Sequence, residues 1–159
     1  MESKLFIHDR ADTPTTISEL KRIHSEIHAA HFFGIYAYAT QSGAAAFDIE
    51  FGAPFWNQTS SRWLLGIDYG RTQPQALRTL LAKANTEIRI HDGSWIVDRR
   101  GFIPRRDFHA KAAILKNQML NRSGIVLGSG NFSSNGLRRS IEAGASIVAE
   151  ENERFEYWF

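Results

Sequence analysis

Apolar runs of strand length recur along this chain, and what separates them changes halfway. In the first half they alternate with stretches of helical spacing. In the second half they follow one another across short polar connections. That order demands a mixed α/β fold, with parallel pairing early and a hairpin later. TISELKRIHSEIHAAHFF (16–33) has helical spacing, with Thr15 or Thr16 as cap and Glu19 placed to complete a capping box. GIYAYAT (34–40) reads as a strand, followed by a short apolar helix around GAAAFDIEF. RWLLGIDYG (62–70) reads as a buried strand, TQPQALRTLLAKA (72–84) as an amphipathic helix with proline near its first turn, and EIRIHDG (87–93) as a third strand closed by a turn. FHAKAAILK (108–116) and SGIVLGSG (123–130) form a hairpin-like pair joined through Asn117 and Asn121. AGASIVAE (143–150) reads as another strand and ENERFEYWF (151–159) as the opening of a helix. No internal repeat or low-complexity linker interrupts the pattern.

A chain of 159 residues, 43% of them hydrophobic, is sized for one domain with a substantial core, here expected over 1–159. Cysteine is absent, which excludes disulfides, thiolate nucleophiles and cysteine-bound zinc, and fits a cytoplasmic setting. MESKLFIHDRADTPTT mixes charge and polarity where a signal peptide needs an apolar core. No apolar run approaches the ~18 residues of a transmembrane helix, so no membrane partner is expected. The final EYWF has no polar tail, and is expected either to continue into a longer protein or to be covered by a partner.

The net charge of +2 conceals an uneven distribution. Between Arg99 and Lys116 lie six cations (Arg99, Arg100, Arg105, Arg106, Lys111 and Lys116) against one acid, Asp107. A solvated loop accounts for such a run by itself. Its place beside His109 and Lys111 favours an anionic polymer as ligand.

His109 and Lys111 stand two apart at the head of the apolar AAIL. Strand alternation puts both on one face, and an imidazole beside an ammonium is costly to bury unless the face is wet or meets an anion. Ser129 and Asn131, within GSGN, share the parity of the next strand's end, and Gly128 and Gly130 permit a tight backbone. Glu142 follows Asn131 by eleven residues. Together these are the parts of a metal-free phosphoryl-transfer site. An imidazole can attack phosphorus, Lys111 and Asn131 can hold the nonbridging oxygens, and Glu142 can fix the tautomer of the attacking ring.

HAK followed by GSGNFSSNGLRRSIEAG resembles the phospholipase D superfamily, whose signature is H-x-K, then G-S-x-N, then an acidic residue roughly a dozen positions on. The match is strong over about 105–147, and GIDYGRTQPQALRTLLAKANTEIRIHD resembles the strand–helix–strand approach to the motif. The resemblance implies a phospholipase D-like mixed sheet flanked by helices. It implies His109 as nucleophile, Lys111 and Asn131 as phosphate ligands, Ser129 as a supporting contact and Glu142 as orienter of the histidine, with no cofactor and no metal. Many members carry an aspartate where AAIL is here followed by Lys116. The aspartate-free form resembles the metal-independent restriction endonucleases of the superfamily. None of the other histidines, His8, His24, His28, His31 and His91, is followed two residues later by lysine. The chain thus carries one half-site, and the resemblance implies a homodimer with two His109 residues facing across its two-fold axis.

The leading expectation is therefore a phosphodiesterase that cuts DNA through a phosphohistidine, with a sequence-recognition domain or subunit supplied from elsewhere. Arg105, Arg106, Arg138, Arg139 and Lys116 are the expected grips on nucleic acid. Lipid headgroup hydrolysis and a noncatalytic nucleic-acid-binding module are the competing classes. His24, His28 and His31 fall at i, i+4 and i+7, which invites zinc, but no acidic or cysteine partner supports it, and a half-buried helix face or interface is preferred. Trp56, Trp63 and Trp158 are expected in the core. Trp95, near the basic loop, is the exception.

Overall fold

The structure, a computed structural model, describes residues 1–150. Its strands are β1 (Glu2–His8), β2 (His31–Tyr36), β3 (Ser60–Leu65), β4 (Thr86–Ile90), β5 (Lys111–Asn117), β6 (Arg122–Gly128) and β7 (Glu142–Glu150). Its helices are α1 (Thr16–Glu26), α2 (Gln41–Gln58), α3 (Pro74–Leu81) and α4 (Gly93–Arg99). One sheet runs in the order β1-β7-β6-β5-β2-β3-β4. The β2–β3–β4 pairs are parallel, as helical crossovers require, while β2–β5–β6–β7–β1 are antiparallel. The early parallel pairing and the later hairpin are both borne out.

The first helix is shorter than its periodicity predicts. It stops at Glu26, His28 turns left-handed (φ 50°), and β2 already begins at His31. The Asn117 amide closes this corner by donating to the carbonyls of Ile27 (3.1 Å) and His28 (2.7 Å). His24, His28 and His31 therefore do not share a helical face, which removes the geometric basis for a three-histidine metal site. The capping box is real, but Thr15 exchanges hydrogen bonds with Ser18 rather than Glu19. Glu19 turns inward instead, accepting from Lys4 Nζ (2.7 Å), Arg22 Nε (3.0 Å) and Ser146 Oγ (2.9 Å). Burial alone would push its carboxyl pKa up; these three bonds more than offset it and leave the value lowered.

Two elements escape the sequence reading. β1 is an edge strand with a single buried apolar side chain, Phe6, so its alternation is faint. α4 buries no residue at all and has no apolar stripe to reveal it. The helix read at 43–51 extends over Gln41–Gln58, broken at Gly52 (φ 66°). The segment ENERFEYWF lies outside the described residues, and Trp158 with it.

α1, α2 and α3 cover one sheet face, where Phe47 meets the rings of Phe32, Phe55, Trp63 and Phe132 at 5.2–5.7 Å between centroids. Trp56 and Trp63 are buried there, as expected. On the opposite face the register aligns Phe33, Ile114, Ile125 and Ile147 in one row across four strands, while Leu5 and Ile7 beyond them are exposed. Among the described residues no helix is long and apolar enough to cross a membrane.

Candidate active site

Strand polarity brings the signature residues to one edge of the sheet. The C-terminal ends of β2, β3, β4 and β6 meet the N-terminal ends of β5 and β7 there. Lys111 opens β5 opposite Tyr36, and Gly128, which closes β6, pairs with Gly144, two residues into β7 from Glu142. Lys111, the GSGN turn and Glu142 thus come from neighbouring strands roughly 5 Å apart. Strand pairing starts only at Lys111, so His109 sits on the segment leading in rather than within the strand. Its imidazole is exposed and has no hydrogen-bond partner among the described residues. Lys111 Nζ donates to the His109 carbonyl at 2.8 Å.

The GSGN turn is held tightly. A Cβ on Gly130 would lie 2.1 Å from the Gly136 carbonyl oxygen, so only glycine fits, whereas Gly128 has ordinary space around it. The backbone of Phe132 accepts from Thr40 N–H at 2.9 Å and bridges Ala39, fixing the turn against the start of α2. The Asn131 side-chain oxygen takes the Tyr38 N–H at 3.4 Å, which leaves the amide NH2 group as the donor available to an anion. Ser129 Oγ donates to the Glu142 carboxylate and accepts from Ala143 N–H at 3.1 Å. In this structure Glu142 is thus engaged by Ser129 rather than by the imidazole of His109.

A narrow cleft beside His109 is lined by Tyr69, His91, Pro104, Asp107 and Phe108. The His91 ring stacks on Phe108 (centroids 4.6 Å apart, 13° between planes), and its Nε2 lies 3.2 Å from the Arg106 carbonyl. Tyr69 Oη donates to Asp107 at 2.8 Å. Sequence reasoning missed His91, Tyr69 and Phe108 as members of the site. The available signal was that GIDYG and IHDG follow parallel strands, whose C-terminal ends are where α/β sheets bind ligands.

The expected nucleic-acid grips separate. Arg106 lies on the loop before β5 and the exposed Arg139 closes the π-helical turn Asn135–Arg139 between β6 and β7, both at the site edge of the sheet. Arg105 is committed to Asp92, with guanidinium bonds of 2.7 and 3.2 Å and a backbone bond of 2.8 Å. That partnership holds the Asp92 carboxyl below its ordinary pKa and raises that of Arg105. Arg138 turns toward α1, lining a groove with Ser18, Lys21, Arg22 and Glu50. Lys116 lies five residues along β5 from Lys111, on the opposite face and roughly 17 Å away. The structure does not bring it to the site.

This arrangement is a phospholipase D-like fold. NucT from Helicobacter pylori superposes with a TM-score of 0.57 at 16% identity, over 91% of this chain and 84% of that one. The phospholipase D family member Nuc from Salmonella typhimurium gives 0.55 at 12% identity, over 94% and 85%. The yeast tyrosyl-DNA phosphodiesterase gives 0.58 at 12% identity, over 96% of this chain but only 34% of the enzyme, so the chain spans about a third of that protein. No protein-family model and no curated protein matches the sequence.

Proposed function

We infer that the protein is a metal-independent phosphodiesterase acting on DNA, the nuclease domain of a restriction-type endonuclease working in the cytoplasm as a homodimer. One observation carries the reading: antiparallel pairing of β5 with β6, and of β6 with β7, gathers H-x-K, G-S-G-N and Glu142 at one sheet edge, where the His109 imidazole has no hydrogen-bond partner among the described residues. In the first step an imidazole nitrogen of His109 attacks phosphorus and the bond to the leaving oxygen breaks. That oxygen takes a proton from the imidazolium of the partner subunit's His109. In the second step water, deprotonated by that now neutral ring, cleaves the phosphorus–nitrogen bond and restores both histidines. Lys111 and the Asn131 amide meet the nonbridging oxygens as charge redistributes. The single H-x-K and the exposed position of His109 support the dimer. Sequence recognition falls to a further domain or subunit.

The test is plasmid cleavage in excess EDTA by the wild type and by His109→Ala. Cutting by the first alone is the expected result. Cutting abolished by EDTA overturns the phosphohistidine reading, and tight binding without cutting by either protein makes this a binding module.

A further inference from the structure

α4 poses a physical question. It buries no side chain, yet a left-handed non-glycine residue stands at each end, Asp92 (φ 52°) before it and Arg100 (φ 51°) after it. Left-handed backbone at non-glycine residues costs free energy and persists where the surroundings enforce it, which makes such positions pointers to function. With no core burial to account for α4, its outward surface is what remains to explain.

That surface is cationic and aromatic. The Arg99 guanidinium lies 4.3 Å from the Trp95 ring centroid, and that of Arg105 lies 5.6 Å from it. In the loop that follows, Phe102 is 65% exposed and Ile103 67%, with Val97 exposed beside them and Arg100 and Arg106 on either side. The ridge joins the His109 cleft at two points. The Phe102 ring lies near Gly70, where a Cβ would come within 3.7 Å of it, and Gly70 is next to Tyr69 in the cleft wall. Arg105 is tied to Asp92, next to His91 in the same wall.

We propose that this ridge, centred on Trp95 and Phe102, binds an unpaired stretch of polynucleotide flanking the phosphate held at His109. The inference rests on the nuclease reading, and for a restriction-type enzyme it requires the duplex to open locally beside the phosphate being cut. The exposed Phe102 ring and the half-buried Trp95 ring offer stacking partners for bases, and guanidiniums beside them meet the backbone charge. A duplex hides its base faces inside its own stack, so Phe102 gains a partner only where bases are unpaired. Of four arginines within eight residues, the three not paired with Asp92 give the charge complementarity. Arg105 holds the loop through Asp92, and Arg99, Arg100 and Arg106 face the phosphates.

Binding is measured on His109→Ala, so that cleavage does not intervene, with three probes of equal length: a single-stranded deoxythymidine oligomer, a duplex and an abasic oligomer. Adding Phe102→Ala or Trp95→Ala is expected to weaken single-strand binding at least about fivefold. Duplex and abasic binding should change less than twofold, and Phe102→Tyr should retain wild-type affinity. Phe102 is exposed, so its replacement leaves the fold intact, which an unchanged thermal midpoint verifies. Equal losses on all three probes, or no loss on any, overturn the proposal. So does loss of binding to phosphatidylserine vesicles with oligomer binding unchanged, which would make the ridge a membrane-surface contact. Base-dependent binding in a protein that never cleaves leaves the ridge standing and removes the nuclease reading. Metal-free cleavage with probes that do not separate removes the ridge alone.

Discussion

The Lys111 ammonium rests on the backbone carbonyl of His109, 2.8 Å away, so the residue expected to hold the phosphate also anchors the segment that carries the proposed nucleophile. A bound phosphodiester would draw the same ammonium toward its oxygens. Lys111→Met is therefore expected to lower kcat by about 10²–10³-fold, with a much smaller change in KM. Steady-state cleavage kinetics separate the two; a rise in KM at constant kcat would restrict Lys111 to ground-state binding.

Gly130 shapes the turn that presents Ser129 and Asn131, and Gly136 packs closely against it. Gly130→Ala drives a methyl group into the Gly136 carbonyl, a backbone atom that cannot rotate away. The expected loss is about 2 kcal/mol of stability, seen as a lower urea midpoint, together with most of the activity. Gly128→Ala, where the nearest atoms lie at ordinary contact distance, should cost far less.

Because Ser129 donates to Glu142, the two should act as a unit. Ser129→Ala and Glu142→Gln are each expected to reduce kcat/KM. The double variant should be little worse than the poorer single one, the signature of residues sharing one interaction. Strict additivity would mean that Glu142 works through some other group.

His24 is half-buried against Phe51 and Phe55, with Nε2 3.0 Å from Thr59 Oγ1. Burial, and secondarily the charge of His28, pushes its pKa below the ordinary value, so the folded protein binds that proton less readily than the unfolded chain. The stability this contributes is complete above the unfolded value of about 6.5 and is lost as pH falls through the folded one. Urea unfolding from pH 7 down to pH 5 should show the decline, and His24→Gln should flatten it.

Local pattern carried much of this architecture. The β5–β6 hairpin, the parallel β2–β3–β4 set and the two motifs at their ends follow from periodicity and from side chains close together in the chain. Lys116 stands apart from the site for a reason alternation supplies: an odd offset from Lys111 selects the opposite face. The remaining misses have physical causes. β1 buries little and α4 buries nothing, so neither shows a periodic apolar stripe. His91, Tyr69 and Phe108 reach the cleft from separate loops, a proximity that depends on strand order. Helix α1 ends where the Asn117 side chain, from the other half of the molecule, captures the carbonyls of Ile27 and His28 just beyond it.

The pairing of β1 with β7 has a consequence for biosynthesis. The first strand hydrogen-bonds to the last of the described ones, with Glu2 opposite Val148, and β2 gains its second neighbour only when β5 has been made, with His31 opposite Lys116. A chain emerging from the ribosome can form β2, β3 and β4 early, but the sheet closes only when β7 has been made. Glu142 lies on that last strand. The half-built polypeptide therefore passes through translation without the proposed catalytic centre, and the proposed chemistry becomes possible only on the completion of folding itself.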